Sequence, residues 1–158
     1  MSCAVAHVNT PQERANLTMR RIKDTKRQIW RVERAKELVC GVISDESQRD
    51  IRKSFEEILP LIQDGLTWMR SGALDELSDE QLKRVLSQLQ ECHKKLGWII
   101  EGSVSIGLEA IEPFPKLLAQ LRIDHDAIGS QIEGLMLSLN ETFQGAVKGS
   151  AEEIHVHA

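Results

Sequence analysis

From Ser78 to Thr142 apolar residues return at alternating steps of three and four, and only the short stretch Glu112-Pro113-Phe114-Pro115 breaks the run. A strand buries every second residue, whereas steps of three and four keep one face of a helix in register, so this half of the chain is restricted to helices. Leu82, Val85, Leu89, Cys92, Leu96, Ile99, Ser103, Ile106 and Ala110 form the first seam. Leu118, Leu121, His125, Ile128, Ile132, Leu135, Leu139 and Thr142 form the second, in turns that end near Gly145 or Gly149. Both are the heptad-like stripes with which helices pack in bundles. The start is written into Leu77-Ser78-Asp79-Glu80-Gln81-Leu82, where Ser78 and Gln81 suit a capping box and Leu77 and Leu82 a hydrophobic staple. Two prolines so close together exclude one continuous helix, and a short connection implies an antiparallel hairpin about 45–50 Å long. Its apolar face must be covered by other helices or by a second subunit.

Two further helices are available upstream. Thr10-Pro11-Gln12-Glu13 combines a capping threonine, a proline suited to the first helical position and a glutamate placed to close a capping box. Behind it, Ala15, Thr18, Ile22, Thr25, Ile29, Val32 and Val39 mark one stripe running to about Cys40, with Gly41 as terminator. Ser44-Asp45-Glu46-Ser47 opens a second amphipathic run through Ile51, Phe55, Ile58, Ile62, Leu66 and Met69, ended by Ser71-Gly72. Pro60 inside this run removes a backbone hydrogen bond, which predicts a kink or a break there. The expected fold is therefore all-α: an up-down bundle of about four helices spanning residues 10–147, with a loose leader at 1–9 and a tail at 148–158. At 158 residues, with 41% hydrophobic and 28% charged side chains, such a chain buries a core without disulfides or metal. Its low aromatic content of 4%, with no tyrosine, also disfavours sheets.

The three cysteines, Cys3, Cys40 and Cys92, are scattered without CxxC spacing, which fits a reducing compartment and no structural zinc. No basic and apolar leader suggests secretion, and no apolar stretch is long enough to span a membrane, so the expected location is the cytoplasm. A di-metal bundle needs Glu-x-x-His or His-x-x-x-His spacing, but Gln90 and Arg122 precede His93 and His125 by three, and Gly97 and Gly129 follow them by four. The terminal His155 and His157 read as a solvated pair. No metal, cofactor or catalytic group is expected. The glycines at 97, 102 and 107, and again at 129 and 134, step by five, which turns them around the helix rather than lining up one face. They read as places of close helix approach, with 102–107 as a hinge or bulge.

His125 occupies a seam position that favours leucine or isoleucine. In a hairpin folded at Phe114 it lies opposite Ser103, the other polar intruder, and a Ser103–His125 hydrogen bond would satisfy both. The alternative is a pH-sensitive site. Charge supplies the remaining candidate. Residues 1–40 carry nine basic and four acidic side chains and residues 101–158 carry three and nine, within a net charge of −4. The first helix is crowded with Arg14, Arg20, Arg21, Lys23, Lys26, Arg27, Arg31, Arg34 and Lys36. Arg20, Arg27, Arg31, Arg34 and Trp30 are the candidate interaction surface, facing either phosphates or the acidic helices of this or another subunit. The expected function is non-enzymatic protein–protein interaction, with self-association included, and the alternative is nucleic-acid binding or regulation through the basic helix.

Overall fold

The computed structural model describes the backbone of residues 10–38 and 42–157, and the side chains of residues 10, 12–35 and 42–140. Four helices form a bundle: α1 (Pro11–Leu38), α2 (Asp45–Arg70), α3 (Asp79–Ser105) and α4 (Phe114–His157). Among the described residues there is no strand. Each of the first three helices begins on a side-chain cap. The amide of Glu13 donates to Thr10 Oγ1 at 3.1 Å, and that of Ser47 to Ser44 Oγ at 3.1 Å. At Ser78 the box is complete: Gln81 N donates to Ser78 Oγ at 3.3 Å, and Ser78 N donates to Gln81 Oε1 at 3.0 Å. These caps satisfy amides that a first helical turn otherwise leaves without partners.

The buried faces follow the seams. Ile22 and Ile29 of α1, Ile51, Phe55 and Ile58 of α2, Leu96 and Ile99 of α3, and Phe114, Leu118 and Leu121 of α4 are fully buried. Threonine is tolerated in the α1 seam because its hydroxyl finds a local acceptor: Thr25 Oγ1 donates to the Arg21 carbonyl at 2.8 Å. Contacts along the helices give their directions. Arg14 meets Asp64 and Arg21 meets Glu57, so α1 and α2 are antiparallel. Lys26 lies over the Trp98 ring and Ile29 against Gly102, so α1 and α3 run parallel. The edge-to-face pair Phe55–Phe114, at 5.9 Å, and the Gln63–Asp124 hydrogen bond make α2 and α4 parallel. Around the bundle the order is α1, α2, α4, α3, so α1 and α4 occupy opposite corners. Helix direction alternates along the chain, but residues 71–78, with a 3₁₀ turn at Ala73–Glu76, cross the diagonal from α2 to α3.

Three expectations change. α2 runs through Pro60 as one helix, so of the expected kink or break the break does not occur; Pro60 is exposed, and the bond it removes lies on the solvent face, where water can serve the vacant carbonyl. α3 ends at Ser105 instead of continuing its seam to Ala110, because Gly107 takes a left-handed conformation at φ +86° and starts a 3₁₀ turn over Leu108–Ala110. α4 does not stop at Gly145 or Gly149 but continues through His157, the helix formers around those glycines outweighing their cost of about 1 kcal/mol each. Val39, Cys40 and Gly41, the expected end of α1, and the leader at 1–9 lie outside the described residues.

Candidate functional site

The basic helix divides into two flanks. Toward α2, Arg14 pairs with Asp64 at 2.8 Å and Arg21 with Glu57 at 3.1 Å, so part of the positive charge is matched by the acidic second helix. Away from the bundle, Arg20, Lys23, Arg27, Trp30, Arg31 and Arg34 are all exposed. Their spacing places them within one face about 100° wide over roughly 21 Å of helix. Among the described residues, Arg20, Lys23, Arg27 and Arg31 hold no ion pair within 4 Å. Trp30 stands 48% exposed in the middle, with the Arg34 guanidinium 5.3 Å from its ring centre. The structure thus brings all five predicted surface residues onto one face. Among the described residues, no ion pair joins the acidic fourth helix, at the opposite corner, to this face.

Beside the stripe lies a polar groove between α1 and α2. Arg27, Arg31 and Lys53 line it together with Asp24, Asp50 and Glu57. Ser54 Oγ, at its base, donates to Gln28 Oε1 at 2.7 Å. Cations therefore face outward on the helix, while the groove at its edge carries both signs.

The predicted Ser103–His125 bond does not form. Ser103 Oγ donates to the Ile99 carbonyl of its own helix at 2.7 Å, which satisfies the buried hydroxyl without help from α4. His125 instead faces Gly97, its Nε2 only 3.2 Å from where a Cβ would stand, and His93 meets Gly129 in the same way at 3.2 Å. The two imidazoles stack on each other, ring centres 3.8 Å apart and planes at 13°. The register error has a simple origin: the chain folds back around residue 111 and not at Phe114, because α3 stops at Ser105. Burial, then the neighbouring His125, hold the His93 pKa below its ordinary value, with Asp126 opposing them. Stacked rings keep their lone pairs in parallel planes, so this pair does not converge on a shared ligand.

Sequence reasoning missed two features. The pair itself was visible as a repeated spacing, His93-Lys94-Lys95-Leu96-Gly97 and His125-Asp126-Ala127-Ile128-Gly129, in which each histidine precedes its glycine by one helical turn. The other is Asp124, 1% exposed. Its Oδ1 accepts from Gln63 Nε2 at 2.6 Å and Gln120 Nε2 at 3.0 Å, while the buried Oδ2 meets no donor among the described residues. The steps from Leu121 to Ile128 divide equally well at 124 or 125, and both residues are polar, so spacing alone could not choose the inward one.

Among the described residues, no group of three or more histidine, cysteine, aspartate or glutamate side chains is placed to hold a metal ion, and no helix is long and apolar enough to cross a membrane. Comparison with protein families, curated proteins and solved structures finds no match to this chain.

Proposed function

We propose that this chain is a non-enzymatic, cytoplasmic helical-bundle protein that acts through protein–protein interaction, using the outer face of α1 against an acidic protein surface, which a second copy of the chain can supply. The observation that carries the reading is Trp30, half exposed among five cations on a single helical face. Tryptophan and arginine dominate the energetics of protein interfaces, where the ring supplies apolar area and the guanidinium groups supply directed pairing. The adjoining groove sets Asp24, Asp50 and Glu57 among Arg21, Arg27, Arg31 and Lys53, a mixed pattern that suits a protein partner carrying both signs better than a uniformly anionic phosphate backbone. The net charge of −4 also works against long-range attraction to nucleic acid.

The test compares the wild-type chain with Trp30→Ala and with the triple variant Arg20→Glu, Arg27→Glu, Arg34→Glu. Light scattering after size exclusion reads self-association, affinity capture reads other partners, and gel retardation reads DNA and RNA at low salt. The expected result is an association lost in both variants while their circular dichroism and melting are unchanged. Association that survives the charge reversal refutes the assignment of this face. Retardation of nucleic acid that weakens steeply with salt and vanishes in the triple variant establishes the nucleic-acid alternative instead.

A further inference from the structure

At the end of the bundle where α1 begins, a cavity of about 150 Å³ opens between the start of α1, the end of α2 and the start of α3, with Ile128 of α4 behind it. Its walls are mainly apolar, with Met19, Leu61, Met69, Leu89 and Cys92 among them, and Gln12, Arg14, Thr18, Gln88 and the Trp68 indole bring polar groups. Water deep in such a space finds few partners, and a volume of this size can accept a molecule about as large as benzene.

Gly65 makes the cavity more than a packing gap. It lies in the interior of α2, in its wall, where glycine costs about 1 kcal/mol relative to alanine. Its backbone is helical, so no left-handed turn requires it. Neither does a neighbour: a Cβ at Gly65 would meet no heavy atom within 4 Å, whereas at Gly97, Gly102 and Gly129 a Cβ would press on His125, Ile29 and His93. Like Gly134 it faces open space, but at Gly65 that space is the cavity, whose wall the missing side chain leaves open. The surrounding atoms suit an adaptable apolar guest, since Met19 and Met69 bring flexible, polarisable thioethers. Burial pushes the Cys92 thiol up to about 12, so it stays a neutral, unreactive wall atom and not a nucleophile.

We propose that this cavity is a binding site for a small apolar ligand, an aromatic ring or a short alkyl group, and that Gly65 keeps it open. The guest's apolar body enters between Met19, Gly65 and Leu89, and any polar end is left at the rim where Arg14 pairs with Asp64.

Benzene titrated into the full chain, followed by amide NMR and thermal unfolding, tests this. The expected result is saturable shifts centred on Ala15, Gly65, Leu89 and Cys92, with a melting temperature that rises with benzene concentration. Gly65→Leu fills the space and should weaken binding at least tenfold. Gly65→Ala, which adds a single carbon to an open helical site and so preserves the fold, should weaken it several-fold. Gly134→Ala, the same change at another open helical glycine away from the cavity, should leave binding unaltered. No saturable shift up to the solubility of benzene overturns the proposal, as does binding that is indifferent to both Gly65 variants. Nuclear Overhauser contacts from Val5 or Val8 to Met19 in the ligand-free chain would also overturn it, by making the chain's own first residues the occupant.

Discussion

Alanine at Gly102 and alanine at Gly134 are the same chemical change in two helices, and the structure separates their outcomes. Each should gain about 1 kcal/mol from helix propensity. At Gly134 nothing lies within 4 Å of the new Cβ, so the gain is kept. At Gly102 the Cβ would stand 2.9 Å from Ile29 Cγ2, with a carbon of the Trp98 ring at 3.7 Å. Ile29 is fully buried and β-branched, so its methyl cannot swing away without moving the α1–α3 contact. Overpacking of this kind costs about 1–3 kcal/mol, which leaves Gly102→Ala between about neutral and 2 kcal/mol destabilised. The two variants should therefore differ by about 1–3 kcal/mol, which for a domain of this size is about 2–4 °C in Tm for each kcal/mol. Urea unfolding followed by far-ultraviolet circular dichroism measures both, with equal slopes required for the comparison. A Gly102→Ala variant as stable as Gly134→Ala would show that α1 and α3 do not approach as closely as described.

Other perturbations probe other parts of the fold. Ser78→Ala removes the side-chain acceptor at the start of α3 and should cost about 1 kcal/mol in denaturant unfolding, with Ser78→Gly losing only a few tenths. Phe55→Ala empties a fully buried site and breaks the edge-to-face contact with Phe114, so a loss of about 3–5 kcal/mol is expected; a loss under 1 kcal/mol would contradict the α2–α4 packing. Because the folded state holds the His93 pKa below its unfolded value, the unfolded chain binds the proton more readily, and stability falls as pH drops below about 6.5. The urea midpoint of wild type should accordingly fall between about pH 7.5 and 5.5 by more than that of His93→Gln, and equal falls would remove His93 as a cause.

What the sequence made legible was local. The caps at Thr10, Ser44 and Ser78 and the seams behind them depend on residues within a turn or two of each other, and they appear in the structure where the spacing placed them. The same stripe of arginines with Trp30 emerges on one face because helical spacing fixes that face whatever packs behind it. Properties that depend on two helices at once were hidden. A seam says which side of a helix is covered but not by which neighbour, so the diagonal crossing from α2 to α3 had no signature. The partner of His125 was misassigned because the pairing register depends on where α3 stops, and Gly107 stops it early. Asp124 and His125 compete for one inward position on equal spacing, and the contacts with Gln63 and Gln120 that settle Asp124 inward come partly from another helix. The cavity beside Gly65 is a property of what four helices fail to fill, which no single segment encodes.

The reciprocal seating of His93 on Gly129 and His125 on Gly97 works as a vernier between α3 and α4. Slide one helix past the other by a single turn and both seats are lost together. In one direction the histidines come directly opposite each other; in the other they face Glu101 and Glu133, whose side chains occupy the space a glycine leaves free. Every slipped hairpin is thus penalised at two points at once. The joining segment, where Gly107 ends α3 and Leu108 is buried, fixes the same alignment from the end of the hairpin, so the register is held at both the turn and the histidines.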